Sequence, residues 1–440
     1  MKGTNYTSIK VFLLSFSIRF LLILATPATN TITDLCIYID SGQLMSHKIN
    51  PYKLSEQLAV RNKLRKDSFA FNAYTCQNQA VWNYFASSNL PLALILFGLI
   101  DSISSTYLCY RLSFALFDSI LALIIFSFIR NNWQKKIGSD WFSGQIMLGI
   151  FSPVLLQNGT IITEHKGTAI LLILAAIQFT SSKNKFIREY LSACFVGSSI
   201  AFIGLGIFVL PLCLFHAFSW HYIEPLKSKL WTALKYLLVV GFFTIIWFLP
   251  FWPDIFDMIS NRIGGSTGLV AAKDNNWYPY FTAPYHSSPW RSVAIWFPNH
   301  WHIVRFIYLG IFIGINAYGI CKKAINPWII TANLFILLLC FVLLDGSLDR
   351  INIGILIAIL FLGKTNSEYA IVLSKFYFFG GILDLLISFF LKVIPSLKVS
   401  FLSDYKIFES LYFGVMFLTI YMYMLCKVII DSKRYKMILK

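Results

Sequence analysis

The strongest constraint on this chain is its succession of long apolar runs, near 9–26, 110–129, 141–160, 168–181, 190–203, 205–219, 232–250, 303–320, 326–344, 351–363, 376–391 and 408–428. A hydrocarbon layer about 30 Å thick takes roughly 20 helical residues per crossing. Within it every backbone N–H and C=O must be satisfied inside the segment, which leaves helices or closed barrels. The runs are too long and too continuous for barrel strands, so they predict an all-α integral membrane protein with about 12 transmembrane helices, roughly 10 to 13. The stretch 190–219 reads either as one long bent span or as two short helices meeting near Pro211. The short run "LPLALILFGLI" at 90–100 is placed along the membrane surface. Lys2 and Lys10 ahead of an apolar run resemble a secretory signal, but no small-x-small cleavage site follows, and a retained first helix is expected.

Composition agrees with the runs. Hydrophobic residues make up 57% and charged residues 13% of the 440 positions, where soluble chains carry about 25% charged residues. A soluble multidomain enzyme, a disordered chain and a collagen-like chain are excluded. The net charge of +17 comes from clusters between apolar runs: Arg130, Lys135 and Lys136; Lys183, Lys185 and Arg188; Lys227 and Lys229; Lys322 and Lys323; and the C-terminal lysines. All fall on one side if both termini are cytoplasmic, as the positive-inside rule requires. Three external loops remain, about 27–108, 161–167 and 251–301. With no continuous basic face, nucleic acid is not expected as a partner. The 8 cysteines show no zinc spacing; Cys36 and Cys76 share the first external loop, and a disulfide between them stays open. No internal or inverted repeat is visible, which weighs against a secondary transporter.

The external loops hold the residues suited to chemistry. In "TDLCIYIDSGQLMSHKINPYK", Asp34 lies just beyond the first helix. A helical reading sets Tyr38 on its face, with Leu35 and Ile39 on another, as in a helix lying in the membrane plane. A carboxylate there is placed to take a proton from an acceptor hydroxyl, or it simply caps the helix; Asp40 is the alternative carboxylate. The second loop presents Glu164, His165 and Lys166. Three ionisable groups between apolar helices are costly unless they serve a hydrated site, although a short loop facing water also accommodates them. Further on stand Arg262, Asn276, Trp277 and Arg291, and the turn "DGSLDR" ends in Arg350. Arg350 is the first choice to neutralise a phosphate; a salt bridge to Asp349 or Asp345 is the competing role. Aromatics such as Trp277 can stack on a sugar or sit in an interfacial belt. Asp101 is unremarkable if its segment lies in the interface, while Asp118 falls inside an apolar run. No P-loop, GxGxxG, GxSxG or HExxH is present.

An acidic residue after helix one, an aromatic, a Gly about eight residues later and then Pro51-Tyr52 resemble the first external loop of GT-C class membrane glycosyltransferases, especially mannosyltransferase-like branches. "YRLSFALFDSILALIIF", "SPVLLQNGTIITEHKGTAILLILAAI" and "GLVAAKDNNW" resemble later elements of that class. The chain departs from it in lacking a basic residue within "IAFIGLGIFVLP" and in carrying Glu where many relatives have Asp. The resemblance implies a GT-C-like catalytic module over 1–300, with in-plane helices in the first loop, followed by variable transmembrane helices over 301–440. It implies transfer of mannose or glucose from a polyprenyl-phosphate sugar to a lipid-linked or surface glycan, with inversion, on the periplasmic or luminal face. Asp34, or Asp40, would be the base. Tyr38, Tyr52, Glu164, His165, Lys166, Arg262, Asn276, Trp277, Arg291 and Arg350 would bind substrate. No metal ligand set or certain cofactor is implied, and a divalent cation stays open. Abundant Ile, Lys, Asn and Phe point to an AT-rich genome and so to a bacterial inner membrane over the endoplasmic reticulum. The other readings are a flippase or transporter of lipid-linked saccharide, and an O-antigen polymerase.

Overall fold

The computed structural model describes residues 2–26, 33–52, 90–133, 144–161, 165–219, 225–256 and 348–393, with scattered helical positions between 300 and 332 and between 412 and 430. Every element among the described residues is helical. Among the described residues, four helices are long and apolar enough to cross a membrane: α1 (Lys2–Ala25, apolar from Ser8), α4 (Tyr107–Asn132), α8 (Leu226–Phe248, prolonged by a 3-10 turn to Phe251) and α10 (Ser367–Val393, apolar to Ile387). Between them lie α2 (Thr33–Ser46), α3 (Pro91–Ile103), α5 (Lys166–Thr180), α6 (Ser192–Ile203), α7 (Gly206–Ser219) and α9 (Leu348–Gly363). The runs near 303–320, 326–344 and 408–428 fall largely outside the described residues.

The helix ends follow local chemistry. α1 stops one residue short of Thr26-Pro27, where the residue before a proline disfavours helical backbone. Pro91 opens α3 from the first-turn position, where a missing N–H costs nothing. α2 ends with Lys48 at φ 60° while Lys48 N donates to Met45 O (3.0 Å) and Ile49 N to Leu44 O (2.8 Å), the paired bonds of a Schellman cap built without glycine. The run 141–160 is not a plain helix. Two π-helical segments, Ile146–Ile150 and Leu156–Ile161, flank a break at Phe151–Ser152 ahead of Pro153, which cannot donate to the preceding turn. In 190–219 the chain forms two helices, and they meet at Gly204–Leu205 rather than near Pro211. Gly204 takes φ 82°, open to glycine at little cost, whereas Pro211 sits inside α7.

The chain divides into two compact units, Met1–Ile124 with Leu155–Tyr278, and Ile125–Val154 with Pro279–Lys440. In the first, α6 packs against α5, α7 and α8. Its small residues let backbones approach: a Cβ on Gly197 would lie 2.6 Å from Val240 O. Polar side chains then bridge α6 to α8, with Ser192 Oγ 2.7 Å from Tyr236 Oη and Trp247 Nε1 donating to Ser198 Oγ at 3.1 Å. Small residues and side-chain hydrogen bonds are what holds helices together where lipid is as apolar as they are. In the second unit, Trp133 Nε1 donates to Leu360 O (3.1 Å), and Phe128, Trp328 and Phe361 pack ring against ring. Asn366 Nδ2 donates to Tyr423 Oη at 2.8 Å.

Candidate functional site

The first-loop segment does form helices. α2 and α3 run in the same direction side by side, with Tyr38 against Phe97, Met45 against Gly98 and Ser46 against Asp101. Gly42 is where they come closest: a Cβ there would stand 2.7 Å from Phe97 O and 2.0 Å from the Tyr110 hydroxyl. The glycine of the quoted motif therefore has a packing role. α2 does not divide its faces as expected, because Leu35, Tyr38, Ile39 and Gly42 form one buried stripe at i, i+3, i+4 and i+7. Asp101 is also not an idle interfacial residue. It is buried and accepts a hydrogen bond from Ser46 Oγ at 2.7 Å.

Tyr38 and His165, 127 positions apart in the numbering of the chain, meet in the fold. The His165 ring, at the residue before α5, lies edge-on to Tyr38 (4.8 Å between centroids), Phe97 (5.3 Å) and Phe202 (5.4 Å), and Tyr38 stacks on Phe97 at 4.7 Å. Both Tyr38 (4% exposed) and His165 (6%) are enclosed. A sugar-stacking ring needs an open face, so this Tyr38 is a packing residue that locks α2 onto the start of α5. Lys166, the first residue of α5, is buried beside it in the chain.

Two neighbouring charged residues were not among the expected site residues. Arg111, in the first turns of α4, reaches the end of α1: its Nη1 donates to Ile23 O (3.2 Å) and Thr26 O (2.9 Å), and its Nη2 to Thr26 Oγ1 and to Thr160 O (3.4 Å). It thereby satisfies carbonyls that the last turn of α1 leaves without helical partners. Two turns further along the same face stands Asp118, 2% exposed. A Cβ on Gly159 would fall 1.5 Å from its Oδ2, and one on Gly167 1.8 Å from its Oδ1. The carboxylate thus fits only because both flanks of the second loop are glycine. Arg19 of α1, fully buried and donating to Ser15 O and Oγ, attracts it electrostatically. An Arg and an Asp seven apart in "YRLSFALFD" was the signal for this face.

The loop leading from α2 is tied to the segment after α8. Asn50 Nδ2 donates to Asp254 Oδ2 at 2.7 Å, Asn50 Oδ1 accepts from Tyr52 N at 3.0 Å, and the Tyr52 ring meets Phe251 edge-on at 5.3 Å. Tyr52 is buried in this contact.

Asp34 and Asp40 lie on α2 and Arg350 on α9, but their side chains fall outside the described residues, as does that of Cys36. Glu164, Arg262, Asn276, Trp277, Arg291 and Cys76 lie outside them altogether. Among the described residues no three His, Cys, Asp or Glu side chains gather as a metal site. Comparison with protein-family models and with curated proteins found no match.

Proposed function

We propose that this is a polytopic membrane glycosyltransferase of GT-C-like architecture, which moves a hexose, mannose or glucose, from a polyprenyl-phosphate donor to a lipid-linked glycan or other acceptor at the periplasmic or luminal face. The observation that supports it most is convergence. Segments of the first and second loops meet through Tyr38 and His165, and the first loop reaches the start of the third through Asn50 and Asp254. A transferase needs such a gathering, since donor and acceptor must be held together while water is kept out.

In this reading Asp34 takes the proton from the acceptor hydroxyl as its oxygen attacks the anomeric carbon from the face opposite the phosphate. The bond from that carbon to the phosphate oxygen breaks, the configuration inverts, and polyprenyl phosphate leaves. Arg350, or Arg262 or Arg291, steadies the charge that develops on the phosphate. Tyr38 and His165 act by holding α2 in register with α5 and do not touch the sugar.

The test is transfer of radiolabelled mannose or glucose from the polyprenyl phosphate to acceptors in a membrane extract. The parent protein yields a labelled product, and Asp34→Asn yields at least roughly a hundredfold less, the scale of a lost general base. No product across a broad donor panel overturns the reading. A second reading, transport of a lipid-linked saccharide, is favoured by one observation: Arg19 and Asp118 are buried within two membrane-length helices, where ionisable groups mark translocation paths. Movement of labelled lipid across the bilayer without any transfer would bring it forward.

A further inference from the structure

A second polar site lies away from the loops described above, on the first compact unit, where the π-helical turn Ile187–Leu191 meets α8. A shallow open cleft is lined there by Glu189, Tyr190, Thr232, Lys235, Tyr236 and Val239. Glu189 is buried and lies between two cations, 3.3 Å from Arg188 Nη2 and 3.8 Å from Lys235 Nζ. Lys235 also sits 4.9 Å above the Tyr190 ring. Glu189 and Lys235 cancel within the lining, and Arg188 beside it leaves the cluster with one excess positive charge. Exposed Lys183, Lys185 and Lys227 add to it from the adjoining chain.

Two further features say what that charge faces. Lys235 is not at a helix end: it is the tenth of 23 residues in α8, which is long and apolar enough to cross a membrane. Continuing along α8 from the pocket, Leu234, Leu238, Phe242 and Ile245 form an exposed apolar stripe at spacings of four, four and three, and Trp231 stands one turn before Lys235. An excess positive charge about two turns inside an apolar helix, with an aromatic beside it and an exposed apolar stripe leading away from the basic end, matches the layout of one phospholipid: phosphate, glycerol level, acyl chain.

We propose that this pocket is a binding site for an anionic glycerophospholipid, whose phosphate is held by Lys235 with Arg188 while an acyl chain lies along the Leu234–Leu238–Phe242 stripe. A zwitterionic lipid brings its own cation and gains nothing from the excess charge. A free phosphate ion lacks the chain that the stripe accepts. This inference does not depend on the glycosyltransferase reading.

The test is native mass spectrometry of the full chain in detergent, titrated with phosphatidylglycerol, with phosphatidylcholine and with inorganic phosphate. One phosphatidylglycerol binds in preference to phosphatidylcholine, and inorganic phosphate at equal concentration neither binds nor displaces it. Lys235→Ala weakens that binding about fivefold, the weight of one cation near a lipid surface. Lys235→Arg restores it. Glu189→Gln, which removes the competing carboxylate, strengthens it by a similar factor even though it breaks the Glu189–Lys235 contact. Equal binding of the two lipids, or Lys235→Ala and Glu189→Gln changing thermal stability with no change in lipid binding, overturns the proposal and leaves an ion pair that only joins two helices. Displacement by inorganic phosphate overturns the lipid as the occupant.

Discussion

α4 and α8 are both long enough to cross a membrane, yet they meet opposite surroundings. Of its most apolar stretch α4 has 56% buried within the protein, and α8 only 17%. α4 carries Arg111 and Asp118 in its enclosed interior, where backbone carbonyls, Arg19 and two glycines surround them. α8 keeps its exposed surface apolar through Leu237, Leu238, Phe242, Ile245 and Ile246, and confines its lysines to its first ten residues. Polar residues are tolerated in such a protein where other protein supplies their partners, and a lipid-facing stripe has none to offer. A hydropathy profile scores the two helices alike, because it counts residue types and not neighbours.

Substitutions should separate the two helices sharply. The largest effect is expected at Gly167→Ala, which drives a Cβ into the Asp118 carboxylate and should cost more than about 3 kcal/mol, the upper end of overpacking. In an Asp118→Ala background the same change should cost under about 1 kcal/mol, a coupling that a thermal-unfolding double-mutant cycle in detergent would read directly. Equal costs in both backgrounds would show that the glycine is not there for the carboxylate. Arg111→Ala should destabilise by about 3 kcal/mol, since it strips hydrogen bonds from buried carbonyls of α1. Arg111→Lys should recover little of that, because an ammonium cannot span the same acceptors. Asn50→Ala is expected to cost about 1 kcal/mol and to show itself mainly as faster proteolysis of the chain beyond residue 52. Lys48→Gly should stabilise by about 1 kcal/mol through relief of the left-handed backbone. At the bottom of the scale, Leu238→Ala on the exposed stripe of α8 should stay within about 0.5 kcal/mol in detergent. A large loss there would mean that protein, not lipid, covers the stripe.

Much of the helix layout was legible because a crossing requires a long apolar run: α1, α4, α5 and α8 begin and end within about seven residues of the runs that announce them. What hydropathy missed was set by backbone chemistry or by distant partners. Pro211 read as the meeting point of two short helices, and only the structure shows Gly204 in the left-handed region and the proline accommodated inside α7. The π-helical pieces around Pro153 have no hydropathy signature. At the site, Tyr38 entered as a substrate-binding residue because it is the aromatic of the first-loop motif, but its enclosure by Phe97, Phe114 and His165 is a property of tertiary packing. Arg111 escaped notice for the opposite reason: it lies at the start of an apolar run and reads as a terminal charge until the end of α1 is seen against it.

The turn at Gly204 has a consequence for the whole chain that follows it. A bend at Pro211 would have let 190–219 continue in one direction. Instead the chain doubles back, so that Gly206 already lies against Val196 and Ile200 of α6. Two antiparallel rods return the polypeptide to the end of α6 at which it entered. Lys235 of α8, after the pair, thereby comes within 3.8 Å of Glu189, before it. That return rests on a single residue without a side chain.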